Sequence, residues 1–253
     1  MKFNIVLVGC GGTGGCFFGR FVRFMADFYA ENTTINLSIV DGDTVEIKNL
    51  GRQPFVEQDV GENKAVALAM AAEEALGVRV KAYPIYISES NMHMLGNSFN
   101  LYEEHEAVNI LIGAVDNHAC RKVFHTFYER CKTYGGNFFF IDAANEYSSG
   151  DVVVGIIKQH DIYAPDRCHY YPEVLTDTEK PVYEKSCEEL NASEPQHLAT
   201  NSLAADMIFS YVTQLIAGGS LALMAKGGII YFDAFRFFSR FDPYDEVRHG
   251  KIK

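Results

Sequence analysis

The stretch "IVLVGCGGTGGCFFGR", residues 5 to 20, constrains this chain more than any other. A short apolar run leads into closely spaced glycines, and an apolar-faced segment follows at once. Gly9, Gly11 and Gly14 hold the three positions of a GxGxxG pattern. The first permits a tight turn, the second lets the backbone reach a phosphate, and the third lets helix and strand close up. The phosphate would rest at the helix N-terminus, where unpaired N–H groups and the helix dipole favour negative charge. A dinucleotide such as NAD and a nucleoside triphosphate both fit this turn, and the glycines do not choose between them.

The rest of the chain repeats the strand–helix alternation. Phe17, Phe18, Phe21, Val22, Phe24, Met25, Phe28 and Tyr29 form one broad stripe at helical spacing, as a core-facing helix requires. "INLSIVD" reads as a second strand ending at Asp41, and "KAVALAMAAEEAL" as a helix that starts at Lys64 and stops at Gly77. "VRVKAYPIYI" alternates like a strand, "VNILIGAVD" is a buried strand ending at Asp116, "HACRKVFHTFYERC" is the next helix, and "NFFFIDAAN" one more strand. This order predicts an α/β fold, a Rossmann-like doubly wound and mostly parallel sheet.

After Gly150 the character changes. "DVVVGII" is a strand, but residues 158 to 196 show little periodicity, and a stretch that long without regular structure is usually functional. "LATNSLAADMIFSYVTQLIAGG" is then a long helix, and "GIIYFDA" and "FRFFSRF" are late strands forming a mixed C-terminal extension. The expected organisation is one domain over 1–253: a nucleotide-binding core at 1–157, an irregular crossover at 158–197, and a C-terminal helix and strands at 198–253.

A net charge of −11 argues against nucleic acid as the main partner, because no basic surplus offsets phosphate repulsion. No apolar run reaches the length of a membrane span, so no membrane association is expected, and "MKFNIVLV" reads as a strand rather than a signal peptide. The six cysteines, 10, 16, 120, 131, 168 and 187, form no CxxC pair and no disulfide framework, so a reducing cytoplasm is the simplest setting.

Three places carry chemistry beyond the glycine turn. Asp41, at the expected end of the second strand, can accept hydrogen bonds from ribose hydroxyls, or can cap a turn in "DGD". In "DGDTVEIKNLGRQPFVEQDVGENK", Asn49, Arg52, Gln53 and Lys64 follow that strand end closely. A plain NAD-binding domain needs none of them, whereas two cations beside a glycine loop suit a triphosphate under attack at its α-phosphate. A solvated polar loop is the competing reading. In "ILIGAVDNHACR", Asp116 can hold Mg²⁺ against phosphates or cap the next helix, and Arg121 can pair with it or with another acid.

The combination of GxGGxG, "VDGDTVEIKNLGRQ", "DVGENK" and "VDNHACR" resembles the ThiF/MoeB/HesA family, relatives of the ubiquitin-activating enzymes. The likeness runs from the first strand to about Gly155, with weaker echoes to "IIYFDA", and its layout is most similar to the ThiF-like proteins of the bacterial PRTRC system. The resemblance implies ATP-dependent adenylation of the C-terminal carboxylate of a small ubiquitin-like or sulfur-carrier protein. By position it implies that Gly9, Gly11, Gly12 and Gly14 lie against the nucleotide with Asp43 and Asn117 nearby, and that Asp41 binds ribose. Asn49, Arg52 and Lys64 would hold the phosphates, Gln53 would support the nucleotide loop, and Asp116 would hold Mg²⁺. Arg52, Lys64 and Asp116 are the implied catalytic groups, and a homodimer is the implied assembly.

The chain also departs from the family pattern. It begins at its first strand, so the arginine that relatives carry on a preceding helical segment, reaching a partner's ATP site, is expected to be missing or supplied otherwise. The paired CxxC zinc ligands are missing, so no structural zinc is expected, and His160, Asp161, Cys168 and His169 read as solvated loop residues. Cys187, in "EKSCEEL", stands where relatives carry a cysteine that accepts the acyl group. Lys185 would lower its pKa while Glu188 and Glu189 would raise it, so nucleophile and inert loop thiol both remain readings. Two other functions stay open: a nucleotide-holding scaffold without turnover, and an NAD-dependent oxidoreductase, which leaves Arg52, Lys64 and Asp116 unexplained.

Overall fold

The structure is a computed structural model. It describes all residues except 29, 100, 102–106, 179, 181–196, 220–223 and 253. Tyr29 and Cys187 therefore lie outside the described residues.

The glycine turn does what its spacing requires. Strand β1 (Lys2–Val8) is buried from Phe3 onward, and helix α1 (Gly12–Asp27) starts three residues after Gly9, which adopts φ +95°. A Cβ on Gly14 would lie 1.8 Å from the Gly9 carbonyl oxygen, so only glycine lets the helix sit this close to the strand. Strand β2 (Thr34–Val40) leads through a short 3₁₀ turn (Ile47–Asn49) to α2 (Lys64–Leu76). Asn63 caps α2 by accepting from the Ala65 and Val66 N–H groups, and Gly77 ends it in the left-handed conformation. Then come β3 (Lys81–Tyr83), α3 (His93–Phe99), β4 (Val108–Gly113), α4 (His118–Cys131) and β5 (Asn137–Asn145). The expected strand over residues 78–87 shrinks to three residues, because Pro84 has no N–H to continue a ladder.

Sheet order is β3-β2-β1-β4-β5, all parallel, followed by antiparallel β6 (Ser149–Lys158), β8 (Gly228–Asp233) and β9 (Phe238–Pro243), with β7 (Asp161–Ala164) paired to β6. Five of the nine strands are thus parallel, and the C-terminal extension is antiparallel. Two four-residue helices, α5 (Arg167–Tyr170) and α6 (Glu173–Thr176), give the described part of the irregular stretch some order, and α7 (Leu198–Gly218) and α8 (Glu246–His249) follow among the described residues.

Alternate residues of the strands feed two cores. Phe3, Ile5 and Leu7 join Ile110, Ile112 and the buried faces of α1, α2 and α7. Val6 and Val8 join Leu111, Phe138, Phe140 and the faces of α3 and α4. Burial on both sides explains why β1 and β4 are nearly continuous apolar runs. A row of amides crosses the sheet: Asn36 donates to Asn4 Oδ1 at 2.9 Å, and Asn4 donates to Asn109 Oδ1 at 3.1 Å. A one-residue slip would strand the buried amides of Asn4 and Asn109, so the row helps to fix register.

One buried charge cluster joins the two halves of the sheet. Asp142 on β5 receives Arg167 Nε at 2.5 Å and Arg121 Nε at 3.4 Å, and Arg167 also pairs with Asp151 on β6. Arg121 therefore pairs with Asp142 rather than Asp116, and its Nη2 donates to the Val115 carbonyl at 2.7 Å, fixing the loop that carries Asp116. Asp142 is 1% exposed, so removing its charge leaves two guanidinium groups under-compensated. Asp142→Asn is expected to lower stability by about 3–5 kcal/mol in urea unfolding; a loss under about 1 kcal/mol would show that the cluster does not hold the sheet halves together.

Candidate functional site

Chain order reverses between β1 and β4, and the crevice beyond their carboxyl ends is where α/β sheets bind ligands. An open cleft of about 1160 Å³ lies there. Gly9, Gly11, Gly12, Asp41, Asp43, Asn49, Arg52, Gln53, Lys64, Asp116 and Asn117 all line it. Gly14 does not, since its part is to pack against Gly9. Cys187 falls outside the described residues.

Helix α1 meets the cleft with an uncapped end. Gly11 is its N-cap, no side chain satisfies the first turn, and no acidic residue lies there. Free N–H groups and the positive end of the helix dipole therefore face the cleft.

Asp41 ties this turn to the next loop. Its Oδ2 accepts from Cys10 N at 2.6 Å and its Oδ1 from Asp43 N at 2.8 Å. Burial raises its pKa and Asp43 adds to the rise, while Lys64 opposes it. Asn63 donates to the backbone carbonyls of Asp41 and Asp43, so the cap of α2 also holds the loop. Lys64 is thereby brought to Asp43, with Nζ 2.8 Å from Oδ2, and the Tyr86 hydroxyl donates to Asp43 Oδ1 at 2.5 Å. Burial pulls the Asp43 pKa up, but Lys64 and these hydrogen bonds outweigh it and the net shift is down. The Tyr86 ring lies flat against Gly42, where a Cβ would come within 2.4 Å of it.

The 3₁₀ turn presents the other cation. Asn49 Oδ1 accepts from Glu46 N at 2.8 Å, and the Asn49 carbonyl accepts from the N–H groups of Arg52 and Gln53. Among the described residues the Arg52 guanidinium has no hydrogen-bond or ion-pair partner, and Gln53 Oε1 is buried without one. Asp116 lies three residues past the end of β4, not at the strand end itself, and pairs with no cation among the described residues. Asn117, not Asp116, caps α4, accepting from Cys120 N at 2.8 Å. These groups fit a polyphosphate with a bound divalent cation: an open helix N-terminus and a partnerless guanidinium for the phosphates, and an unpaired carboxylate for the metal.

Sequence reasoning missed Thr13, Tyr86, Lys122, Asn145 and Asn201, which also line the cleft. Asn145 ends β5 just as Asp41 follows β2, so the strand-end rule applied once more would have found it. Tyr86 was hidden in the overlong third strand.

Of the residues weighed as metal ligands, His160 Nδ1 bonds the Lys132 carbonyl and His169 Nε2 the His249 carbonyl. The fold instead places His125 and Asp166 beside Cys168, with His125 Nδ1 2.8 Å from Asp166 Oδ2. Burial pushes the thiols of Cys10, Cys120, Cys131 and Cys168 up, away from thiolate character.

The lowered Asp43 pKa has a consequence for stability. A carboxyl held down in the folded state contributes stability that is present above its unfolded pKa and lost as pH falls through the folded value. In Lys64→Met the largest part of that contribution disappears, and burial is then opposed only by the Tyr86 hydrogen bond and Lys48. Wild type should therefore exceed the variant in urea midpoint at pH 7, and the gap should close as pH falls below about 4. A gap that stays constant from pH 7 to pH 3 would show that the pair is not the source of the variant's loss.

Comparison with known proteins places this architecture. Solved structures similar in fold include PaaA, with a TM-score of 0.62 at 17% identity over 96% of this chain and 63% of that one. Escherichia coli MccB with ATP gives 0.60 at 17% identity over 96% and 62%, and MccB with AMPCPP and MccA gives 0.60 at 17% over 98% and 66%. The chain thus spans somewhat under two thirds of the length of PaaA. No curated protein matches it in sequence. The sequence model of the ThiF family matches residues 1–239, nearly the whole length, and so this chain belongs to the ThiF family.

Proposed function

We propose that the protein adenylates the C-terminal carboxylate of a small ubiquitin-like or sulfur-carrier protein, using ATP. The observation that carries this reading is the Arg52 guanidinium, which has no partner among the described residues and faces a cleft shared with the Asp43–Lys64 pair and Asp116. Uncompensated charge of this kind suits a ligand that brings its own negative charge, and a triphosphate brings several.

The residues divide the work. Asp41 and the glycine turn hold the nucleoside end, with a carboxylate oxygen still able to accept from a ribose hydroxyl. Lys64 Nζ uses one donor on Asp43 and keeps two for phosphate oxygens. Arg52 adds a planar fork to the same charge. Mg²⁺ held by Asp116 and the phosphates would supply further charge on the oxygens where negative charge grows. These groups act on the α-phosphate as the acceptor carboxylate attacks it and pyrophosphate leaves, giving an acyl-adenylate.

An approach path for the acceptor is present. A second cleft of about 820 Å³ shares Asp116, Asn145 and Glu146 with the first and is lined also by Gly150, Tyr231, Phe232 and Phe238 of the antiparallel strands. Gly150 is packed closely here, since a Cβ would lie 2.5 Å from the Ala144 carbonyl oxygen and 2.7 Å from the Phe232 ring. Beyond it the β8–β9 hairpin exposes Tyr231, Phe235, Phe237, Phe238 and Phe241. An extended polypeptide tail in this groove, with a folded body on the aromatic face, brings a terminal carboxylate to Asp116. The MccB structures with ATP and with MccA support a cleft of this fold taking both a nucleotide and a peptide. A homodimer belongs to the same reading.

ATP–pyrophosphate exchange with candidate acceptors tests the activity. Wild type should exchange, and Lys64→Ala or Asp116→Asn should lower the rate about a hundredfold, the cost of one lost contact to developing charge, while changing stability by much less. Exchange unaffected by Lys64→Ala would overturn its role. ATP binding without exchange on any acceptor would favour a scaffold.

Cys187 belongs to a second step, in which its thiolate takes the acyl group from the adenylate and AMP leaves. Cys187→Ala should keep pyrophosphate exchange and lose the thiol-sensitive adduct seen on non-reducing gels. An adduct that persists in Cys187→Ala would assign the step elsewhere. Cys168 is a poor substitute, being buried with its pKa raised.

A further inference from the structure

Asn201, in the first turn of α7, is 3% exposed and lines the nucleotide cleft, yet nothing above gives it a role. Its surroundings fix which way its amide points. Asn145 Nδ2 donates to Thr13 Oγ1 at 2.7 Å and to Asn201 Oδ1 at 3.1 Å. Thr13 Oγ1 accepts from Asn145, so its own proton goes to Asn201 Oδ1 at 3.2 Å. Two donors thus converge on one oxygen while Asn145 keeps its own orientation, and flipping Asn201 alone would set donor against donor. The Nδ2 group is left facing Gly12, where a methyl would lie 2.3 Å from it. Among the described residues this Nδ2 has no acceptor.

This Nδ2 keeps some exposure to the cleft, so a ligand seated there can accept from it. Here the donor stands beside the uncapped N-terminus of α1, a 16-residue helix whose first-turn N–H groups also lack side-chain partners. The two features converge on the same volume, against Gly12. An amide N–H₂ and helix N–H groups are all donors, so the group they share must be an acceptor on every side, and an anionic oxygen fits.

We propose that Asn201 is an anion-binding residue that donates through Nδ2 to a phosphoryl oxygen of the nucleotide, completing the helix N-terminus from a different part of the chain. The proposal rests on the nucleotide reading of the cleft and adds to it a contact from the helix that follows residues 181–196. Thr13 and Asn145 act as positioning residues, since they orient Asn201 and leave its donor for the ligand. Gly12 is then required because any side chain there would displace the Asn201 amide.

Asn201→Asp separates this role from a structural one. The new carboxylate keeps an oxygen for Thr13 and Asn145 but puts an acceptor where the donor stood. Calorimetry with Mg·ATP and with adenosine should show ATP affinity reduced by about tenfold or more, the loss of one hydrogen bond to a charged group, with adenosine affinity changed less than about twofold on the same basis. Asn201→Ser keeps an oxygen acceptor, withdraws the amide and should show the same contrast, which covers the case in which Asn201→Asp folds poorly. Equal ATP affinity in wild type and a folded variant would overturn the proposal and leave the nucleotide reading intact. Parallel losses for ATP and adenosine would assign Asn201 a structural part only and also overturn it. Failure of wild type to bind ATP would overturn both.

Discussion

The carboxylate of Asp41 joins two loops that must act together. By accepting from Cys10 N and Asp43 N it fixes the glycine turn after β1 against the loop after β2. Asn63 then locks the same loop to the start of α2 through the Asp41 and Asp43 carbonyls. These four hydrogen bonds hold the glycine turn, the loop after β2 and the start of α2 in fixed positions around the cleft. Asp41 is half-buried beside a second acid, and its raised pKa reflects the cost of desolvating its charge, which Lys64 partly offsets.

This arrangement explains how an acidic chain can present a site for anions. The net charge is −11, but the cleft gathers Arg52, Lys64, Lys48 and Lys122 around an open helix N-terminus. Lys48 and Lys64 are partly neutralised by Glu46 and Asp43. Lys122 donates to the Asp177 backbone carbonyl, whereas Arg52 has no partner among the described residues and offers its whole guanidinium to a polyphosphate. Its position depends on the 3₁₀ turn that Asn49 organises from within, through a side chain turned to the backbone of Glu46. Asn49 thus contributes to the site by shaping the loop.

Much of this was legible in sequence because it is local. The glycine spacing, the start of α2 at Lys64, its stop at Gly77 and the bounds of α4 each follow from a few neighbouring residues. Asp41, Arg52, Lys64 and Asp116 could be read because they follow strand ends, where α/β sheets gather ligands. What could not be read depends on contacts between distant segments. Asn201 meets Thr13 across 188 positions, and Arg121 finds Asp142 rather than Asp116 only because β5 lies beside β4. Alternation in "VRVKAYPIYI" looked like a strand, but Pro84 ends the ladder and frees Tyr86 to reach Asp43. The antiparallel pairing of β6, β8 and β9 leaves no mark that distinguishes it from parallel pairing in a single sequence.

The central claim is that the cleft is built for a nucleoside triphosphate and not for a dinucleotide. Calorimetric titration of the full chain with ATP and with NAD, each with Mg²⁺, tests it most directly. The account predicts that ATP binds at one site per chain, that Arg52→Ala weakens this binding, and that NAD gives no heat of binding. Tight binding of NAD with none of ATP would contradict it.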